Sequence, residues 1–371
     1  MRTITFLTIG LTLTITLFGF AIAHPARAET EVPKVEVVFC LDTTGSMSGL
    51  LEGAKRKIWG IANQIIAGEP MPSLSIGLVG YRDYEDEYIT KIYQLSSDLD
   101  TVFENLTGFR ADGGGDTPEH VNKALWDAVN SIGWSSDEKT LKIVFLVGDC
   151  PPHMDYDDGY DYRNECRDAV IRDIIVNTVQ CGDSNETVRY WKEIARLGEG
   201  RYAKIEQSGG MQEIETPYDA ELVSFSSRLE DTVIAFGSRS EIAKAESRKR
   251  MVETMAPEAA ADRAAYKSRD GRIGGYDLID ALKNNEVELE NLDKDEIPAE
   301  MRKMSLGEKR AYLLDKQKER TALMREIQKL TGKRSEYIRE HTKSFSDGDS
   351  FDEAVKLIIA KQAKEKGILY R

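Results

Sequence analysis

The sequence predicts an α/β fold: a doubly wound, mostly parallel sheet flanked by helices, followed by an α-helical C-terminal region. Three observations carry that prediction. Short β-branched apolar runs alternate with amphipathic stretches from Val35 to about residue 240, the pattern of parallel strands joined by crossover helices. Two of the runs end on a carboxylate, at Asp42 and Asp149. In open parallel sheets ligands bind beyond the carboxyl ends of the strands, where strand order reverses. After about residue 240 the strand signal stops and the chain turns charged, Ala-rich and helix-periodic.

Residues 1–28 read as a secretory signal. Arg2 opens the segment, Ile4 to Ala23 carry no charge, and Ala26-Arg27-Ala28 supplies an A-x-A end. The expected destination is secreted or periplasmic. The apolar run is long for a signal core, so an uncleaved membrane anchor is the alternative, and membrane contact is expected only in that case. The α/β domain is expected over 33–240 and the helical region over 241–371.

Within the first domain "VEVVFCL" (35–41) is a short β-branched strand. The next stretch places Ala54, Ile58, Ile61 and Ile65 at helical spacing. Residues 74–83 and 88–95 read as two strands around a charged turn, and 99–109 and 118–132 as helices, with Pro118 in a first helical turn. "LKIVFLVGD" (141–149) and "IIVNTVQCG" (174–182) are buried strands. A helix over 188–200 with a glycine stop, a last strand at 201–206 and a closing helix at 221–237 complete the unit. Beyond it, the texture breaks at Gly274-Gly275. A long helix carries Leu323, Ile327, Leu330 and Tyr337 in a seam-like spacing, with polar Lys316 and Arg320 upstream. That stripe suits a helical hairpin docked on the first domain, or self-association through the C-terminal helices. A final amphipathic helix follows at 351–368.

The net charge of −14 sits in the N-terminal two-thirds, while the segment after residue 240 is close to balanced. An acidic domain repels phosphates, which excludes nucleic acid as a partner and suits a cation. The four cysteines are Cys40, Cys150, Cys166 and Cys181. Export permits pairing. Cys166–Cys181 is the expected bridge, because a short helix and returning strand bring both near one rim. Cys40, inside an apolar strand, reads equally well as a buried thiol.

Three loops offer hard oxygen donors. Asp42, Thr44 and Ser46 form D-x-T-x-S between a strand and a helix. Capping accounts for a hydroxyl there, but not for a carboxylate closing a buried strand. A second loop, "GFRADGGGDTPEH", brings Asp116, Thr117 and Glu119 behind three glycines. The third begins at Asp149. Together they suit Mg²⁺, with Mn²⁺ or Ca²⁺ as substitutes. Hydroxyls would bind directly, carboxylates would hold waters, and one position would stay open for an outside oxygen.

With those residues in view, the chain resembles the von Willebrand factor A-type domain with its metal-ion-dependent adhesion site, over roughly residues 33–240. That family closes its first strand on D-x-[ST]-x-[ST] and places an Asp at the end of its fourth strand, matching Asp42, Thr44, Ser46 and Asp149. "DTPE" is similar to the D-x-P-E loop of integrin β subunits, which implies Glu119 as the second-loop ligand. Thr117 takes that place if the loop follows the simpler α-type domains. The acidic pair that integrin β subunits use for an adjacent metal would fall at Gly49 and Leu50 and is absent. The resemblance implies a binding module, not an enzyme: a protein partner presents a carboxylate to the bound ion. The C-terminal part is similar to helical tails of exported bacterial proteins with this domain.

Asp42 with "GDCPPHMD" loosely resembles the haloacid-dehalogenase phosphatases, but Thr44 stands where their general acid belongs. Cys150, His153 and His120 supply only half a zinc site, so His153 is expected as a polar loop residue. "DYDDGYD" (155–161) lacks the register of a calcium loop and reads as a solvated acidic loop. Asp83 is expected in a surface turn, with support of the metal site as the alternative. Asn185-Glu186-Thr187 is a glycosylation sequon that matters only in a glycosylating host. An envelope scaffold with a purely structural metal is the reading from a different class.

Overall fold

The computed structural model describes residues 32–115, 117–212, 214–341 and 350–370. The secretory-signal reading of 1–28 falls outside them, as does Asp116. No described helix is long and apolar enough to cross a membrane.

Six strands form one sheet: β1 (Lys34–Asp42), β2 (Ser73–Tyr81), β3 (Thr90–Ser96), β4 (Leu141–Gly148), β5 (Ile174–Cys181) and β6 (Glu199–Ile205), in the order β3-β2-β1-β4-β5-β6. Every neighbouring pair is parallel except β2 with β3, which a short charged turn makes antiparallel. β1 is flanked by β2 on one side and β4 on the other, so strand order reverses there. That reversal is where a doubly wound sheet opens a crevice. Leu41 pairs with Val147, which sets Asp42 level with Gly148 and one residue short of Asp149.

The central strands are buried on both faces, so they are continuously apolar rather than alternating. One face packs under α1 (Ser48–Ile65) and α2 (Leu99–Thr107), around Phe39, Trp59, Phe109 and Phe145. The other packs under α3 (Val121–Asn130), α4 (Tyr162–Ile171) and α5 (Asn185–Leu197), around Tyr81, Leu125, Tyr162 and Trp191. Pro118 does not open α3. His120 is its N-cap, and the helix starts at Val121 because residues 117–119 are held against the segment that follows β4.

The described residues from Val32 onward gather into one compact unit. Its C-terminal helices are α6 (Asp219–Glu230), α7 (Arg239–Glu253), α8 (Pro257–Asp270), α9 (Leu278–Lys283), α10 (Leu306–His341) and α11 (Phe351–Ala363). α6 is shorter than its apolar pattern suggests. The β-branched run Thr232-Val233-Ile234 leaves the helix, and the Ile234 amide donates to Asp277 Oδ1 at 2.9 Å. α8 stops at Gly271, whose φ of +80° only glycine adopts cheaply, ahead of the expected break at Gly274. The stripe on α10 is spent inside the chain. Leu323, Ile327 and Leu330 pack with Leu222, Leu229, Ala261 and Ala264 of α6 and α8. Arg320, which looked like a polar gap in the stripe, is buried and donates to Asp277 Oδ2 at 2.6 Å and to Asp280 Oδ1 at 3.1 Å. The final helix α11 lies on the sheet itself: Phe351 meets Phe39 edge-on, and Gln362 exchanges both amide hydrogen bonds with Asn177 of β5.

All four cysteines are free and buried. The expected Cys166–Cys181 bridge does not exist. Cys166 on α4 lies in the cluster on one sheet face and donates to the Ile194 carbonyl, whereas Cys181 belongs to the cluster on the opposite face. Side chains alternate across a strand, so the sheet itself separates the two thiols.

Candidate metal centre

Five of the sequence-predicted donors come together at the carboxyl ends of β1 and β4. Asp42 is fully buried. Its Oδ1 accepts from the Thr44 amide at 2.8 Å and from Thr44 Oγ1 at 2.6 Å. Thr44 Oγ1 lies 3.3 Å from Ser46 Oγ, and Ser46 is exposed at the mouth. Gly148 makes the approach of β4 possible, since a Cβ there would collide with the Tyr81 hydroxyl and crowd Asp42. Asp149 follows at once, near enough for its charge to act on Asp42.

The glycine-rich loop closes the site from the side. The Gly45 amide donates to the Gly113 carbonyl at 3.3 Å, and the Asp112 amide to the Thr43 carbonyl at 3.1 Å. A Cβ on Gly114 would sit 2.9 Å from Thr44 Cβ and 3.3 Å from Glu119 Oε1, so only a bare backbone fits there. Of the loop's candidates, Glu119 is 2% exposed while Thr117 faces solvent. The Glu119 backbone is pinned on both sides: its amide donates to Pro151 O at 3.0 Å and its carbonyl accepts from the His153 amide at 3.1 Å.

The electrostatics are out of balance. Asp42 Oδ2, Glu119 Oε2 and Asp149 Oδ1 are buried with no hydrogen-bond partner. Among the described residues none of these three carboxylates has an ion-pair partner. Burial and then the Asp149 charge push Asp42 up from 3.8 to about 7. Burial, followed by Asp42, Asp83, Asp86 and Asp149, pushes Glu119 from 4.5 to about 9. Unpaired buried carboxylates on this scale are costly, a cost that a cation held there would offset.

Among the described residues no three His, Cys, Asp or Glu side chains, Asp42, Glu119 and Asp149 included, converge into a metal-holding group; a cation here would depend on the Thr44 and Ser46 hydroxyls as well. The zinc candidates have other partners. His120 Nε2 faces Asp158 at 2.9 Å, and His153 sits between Asp83 at 3.0 Å and Asp155 at 2.8 Å. Burial raises the Cys150 thiol, with Asp149 adding to the shift.

Some of the supporting residues were not legible as such. Asp83 is not a surface turn: it is 5% exposed, and its Oδ2 accepts from Tyr156 Oη at 2.7 Å. The acidic loop 155–161 is therefore only partly solvated, because Tyr156 and Asp158 turn inward onto Asp83 and His120. Arg82 threads the loops together, donating from Nε to Thr43 O at 3.2 Å and from Nη2 to Arg110 O at 2.8 Å. Gln207, after β6, donates from Nε2 to Asp149 Oδ2 at 2.6 Å. Nothing in the sequence around Gln207 marks it, since its role depends on β6 lying two strands from β4.

Comparison with known proteins agrees with this architecture. Residues 36–216 match the family profile described as von Willebrand factor A domain. A protein of Acanthamoeba polyphaga mimivirus, described as an ariadne-like RING finger protein, is 29% identical over 140 residues, 38% of this chain. This chain spans only 12% of that relative's length. Similar solved structures include the conserved protein BatB from Bacteroides thetaiotaomicron, 14% identical over 58% of this chain and 99% of its own, with a TM-score of 0.34. The SpRpn10 VWA domain is 12% identical over 48% of this chain and 92% of its own, with a TM-score of 0.36. A von Willebrand factor type A protein from Catenulispora acidiphila is 16% identical over 48% of this chain and 40% of its own, with a TM-score of 0.37. Likeness at that level bears on neither ligand nor partner. The profile match over the strands and loops described above is what identifies this part of the chain: residues 36–216 are a von Willebrand factor A domain.

Proposed function

We propose that the chain is a metal-dependent protein-binding module that captures an acidic group of a partner protein. Domains of this family often mediate protein–protein interaction. The observation that carries the finer reading is the set of three orphaned, buried carboxylate oxygens, on Asp42, Glu119 and Asp149, beside the Thr44 and Ser46 hydroxyls. Oxygen-only donors of this kind suit Mg²⁺, which keeps several waters and takes few carboxylates. Asp42, Thr44, Ser46, Glu119 and Asp149 would hold the ion. Thr117 points to solvent and is the weaker donor. The ion supplies positive charge at the mouth of an otherwise acidic rim, which is what an incoming carboxylate needs.

The test is a Mn²⁺ titration followed by electron paramagnetic resonance, paired with capture of partners from the exported fraction with Mg²⁺ or EDTA. The wild-type chain binds one ion and captures partner only with metal; Asp42→Ala loses both while its far-ultraviolet circular dichroism stays unchanged. Equal capture in EDTA overturns the proposal. If metal raises the melting temperature but acetate never competes with a partner, the ion is structural and the scaffold reading replaces this one.

A further inference from the structure

A cleft of about 720 Å³ opens at the amino ends of β4 and β5, the end of the sheet away from the carboxylate cluster. It lies between the loop that joins α3 to β4 and the turn that joins α4 to β5. Small-molecule sites have this size. Lys142, the second residue of β4, lines the cleft and is only 6% exposed. Its Nζ donates to the Arg172 carbonyl at 2.8 Å. An ammonium carries three N–H donors, and among the described residues Lys142 has no ion-pair partner. Glu36 stands opposite it in the β1–β4 register, but its Oε2 accepts from the Ser135 amide at 2.9 Å instead. A lysine buried without a counter-charge is rare and costly.

The rest of the lining is of two kinds. Arg172 spends Nη1 on the Val129 carbonyl at 2.9 Å and has no ion-pair partner among the described residues. Lys366, just beyond α11, spans the two loops, donating to the Glu138 carbonyl at 2.6 Å and to Asp173 Oδ2 at 2.8 Å. Three cations thus face two acids, Glu138 and Asp173, a surplus of one positive charge in a chain of net charge −14. The apolar part comes from Ile132, Trp134 and Ile171. The Trp134 ring is held in place by its Nε1, which donates to the Ala128 carbonyl at 2.9 Å. Ile171 is left 75% exposed.

We propose that this cleft binds a small organic monoanion, a carboxylate carried on an apolar body. The carboxylate pairs with the Lys142 ammonium and with the Arg172 guanidinium, whose planar fork matches two carboxylate oxygens. The apolar body lies against Trp134 and Ile171. A surplus of one positive charge favours a monoanion over a phosphate dianion, which Glu138 and Asp173 would repel more strongly. The site is independent of the metal-binding reading, since it shares no residue with that cluster.

Isothermal titration calorimetry of the full chain tests this with phenylbutyrate, the neutral phenylbutanol and phenyl phosphate. The wild type is expected to bind one phenylbutyrate, about tenfold or more tighter than either of the others. Lys142→Met should weaken it about tenfold, the loss of one charged hydrogen bond. Because Lys142 is buried, Ile171→Glu is the second variant: its position is exposed, so the fold is kept, and a carboxylate at the mouth should weaken phenylbutyrate by a similar factor. Binding should persist in EDTA and in Asp42→Ala, which separates this cleft from the metal centre. The proposal is overturned if the wild type binds no phenylbutyrate, or if the alcohol or the phosphate binds as tightly. It is equally overturned if Ile171→Glu binds like the wild type, or if EDTA abolishes binding.

Discussion

Replacing Arg263 by methionine tests whether the C-terminal helices are part of the domain's stability or an appendage to it. Arg263, on α8, is fully buried over Trp59 of α1. Its Nε donates to Asp100 Oδ1 on α2 at 2.6 Å and its Nη2 to Asp100 Oδ2 at 3.1 Å. Nη2 also stands 2.6 Å from Glu230 Oε1 on α6. That contact is off-axis, because Glu230 Oε1 finds no hydrogen-bond partner, so it acts as a charge pair. Removing one partner of a buried pair costs about 3–5 kcal/mol, chiefly through the charge left behind. Asp100 would keep Lys267 at 2.9 Å and Arg248 at 3.5 Å, while Glu230 would keep no ion-pair partner among the described residues. The expected loss is therefore at the low end, about 3 kcal/mol, or on the order of 10 °C in melting temperature. Urea unfolding at neutral pH, read by circular dichroism and by tryptophan fluorescence, measures it. Adding Glu230→Leu should recover about 2 kcal/mol, because the stranded charge is gone. Burial works against the charged form of Asp100, but Arg263 and Lys267 outweigh it and hold the carboxyl below its usual 3.8. The pair's stabilisation is thus present above that value and is lost only as pH falls through the lower folded pKa. A loss under about 1 kcal/mol, or a separate C-terminal transition with the sheet melting unchanged, would refute the reasoning.

Two further outcomes are expected. Glu119 and Asp42, held up to about 9 and about 7, keep protons in the native state that the unfolded chain releases. In EDTA, stability should then fall as pH rises from about 4 towards 9, and saturating Mg²⁺ should flatten that slope; a flat profile in EDTA contradicts the unbalanced cluster. The four buried thiols should be unreactive to an aromatic disulfide reagent in the native protein, and all four should titrate in guanidinium without reductant. Recovery of only two would reinstate a bridge.

Much of the site could be read from residues alone because its chemistry is local. Asp42, Thr44 and Ser46 lie within five positions, and the apolar run before them locates a strand's end. Asp149 was legible for the same reason. The choice between Thr117 and Glu119 was not, since it depends on which side chain the glycine loop turns inward. Asp83 was misplaced because a tyrosine and a histidine more than sixty residues away bury it. The stripe on α10 was legible, but its partner was not: Arg320 looks like a flaw until Asp277 and Asp280 arrive from α9 and its N-cap.

By itself the sequence determined the strand–helix alternation, the sheet's buried central strands and the donor types at their ends, because these follow from periodicity and near-neighbour chemistry. Tertiary structure alone decided that Cys166 and Cys181 lie on opposite faces of the sheet, that Gln207 reaches Asp149, and that a helix starting at Phe351 covers the same sheet as Phe39. Each of those outcomes depends on strand order and on which face an element covers, and no short-range pattern carries that information.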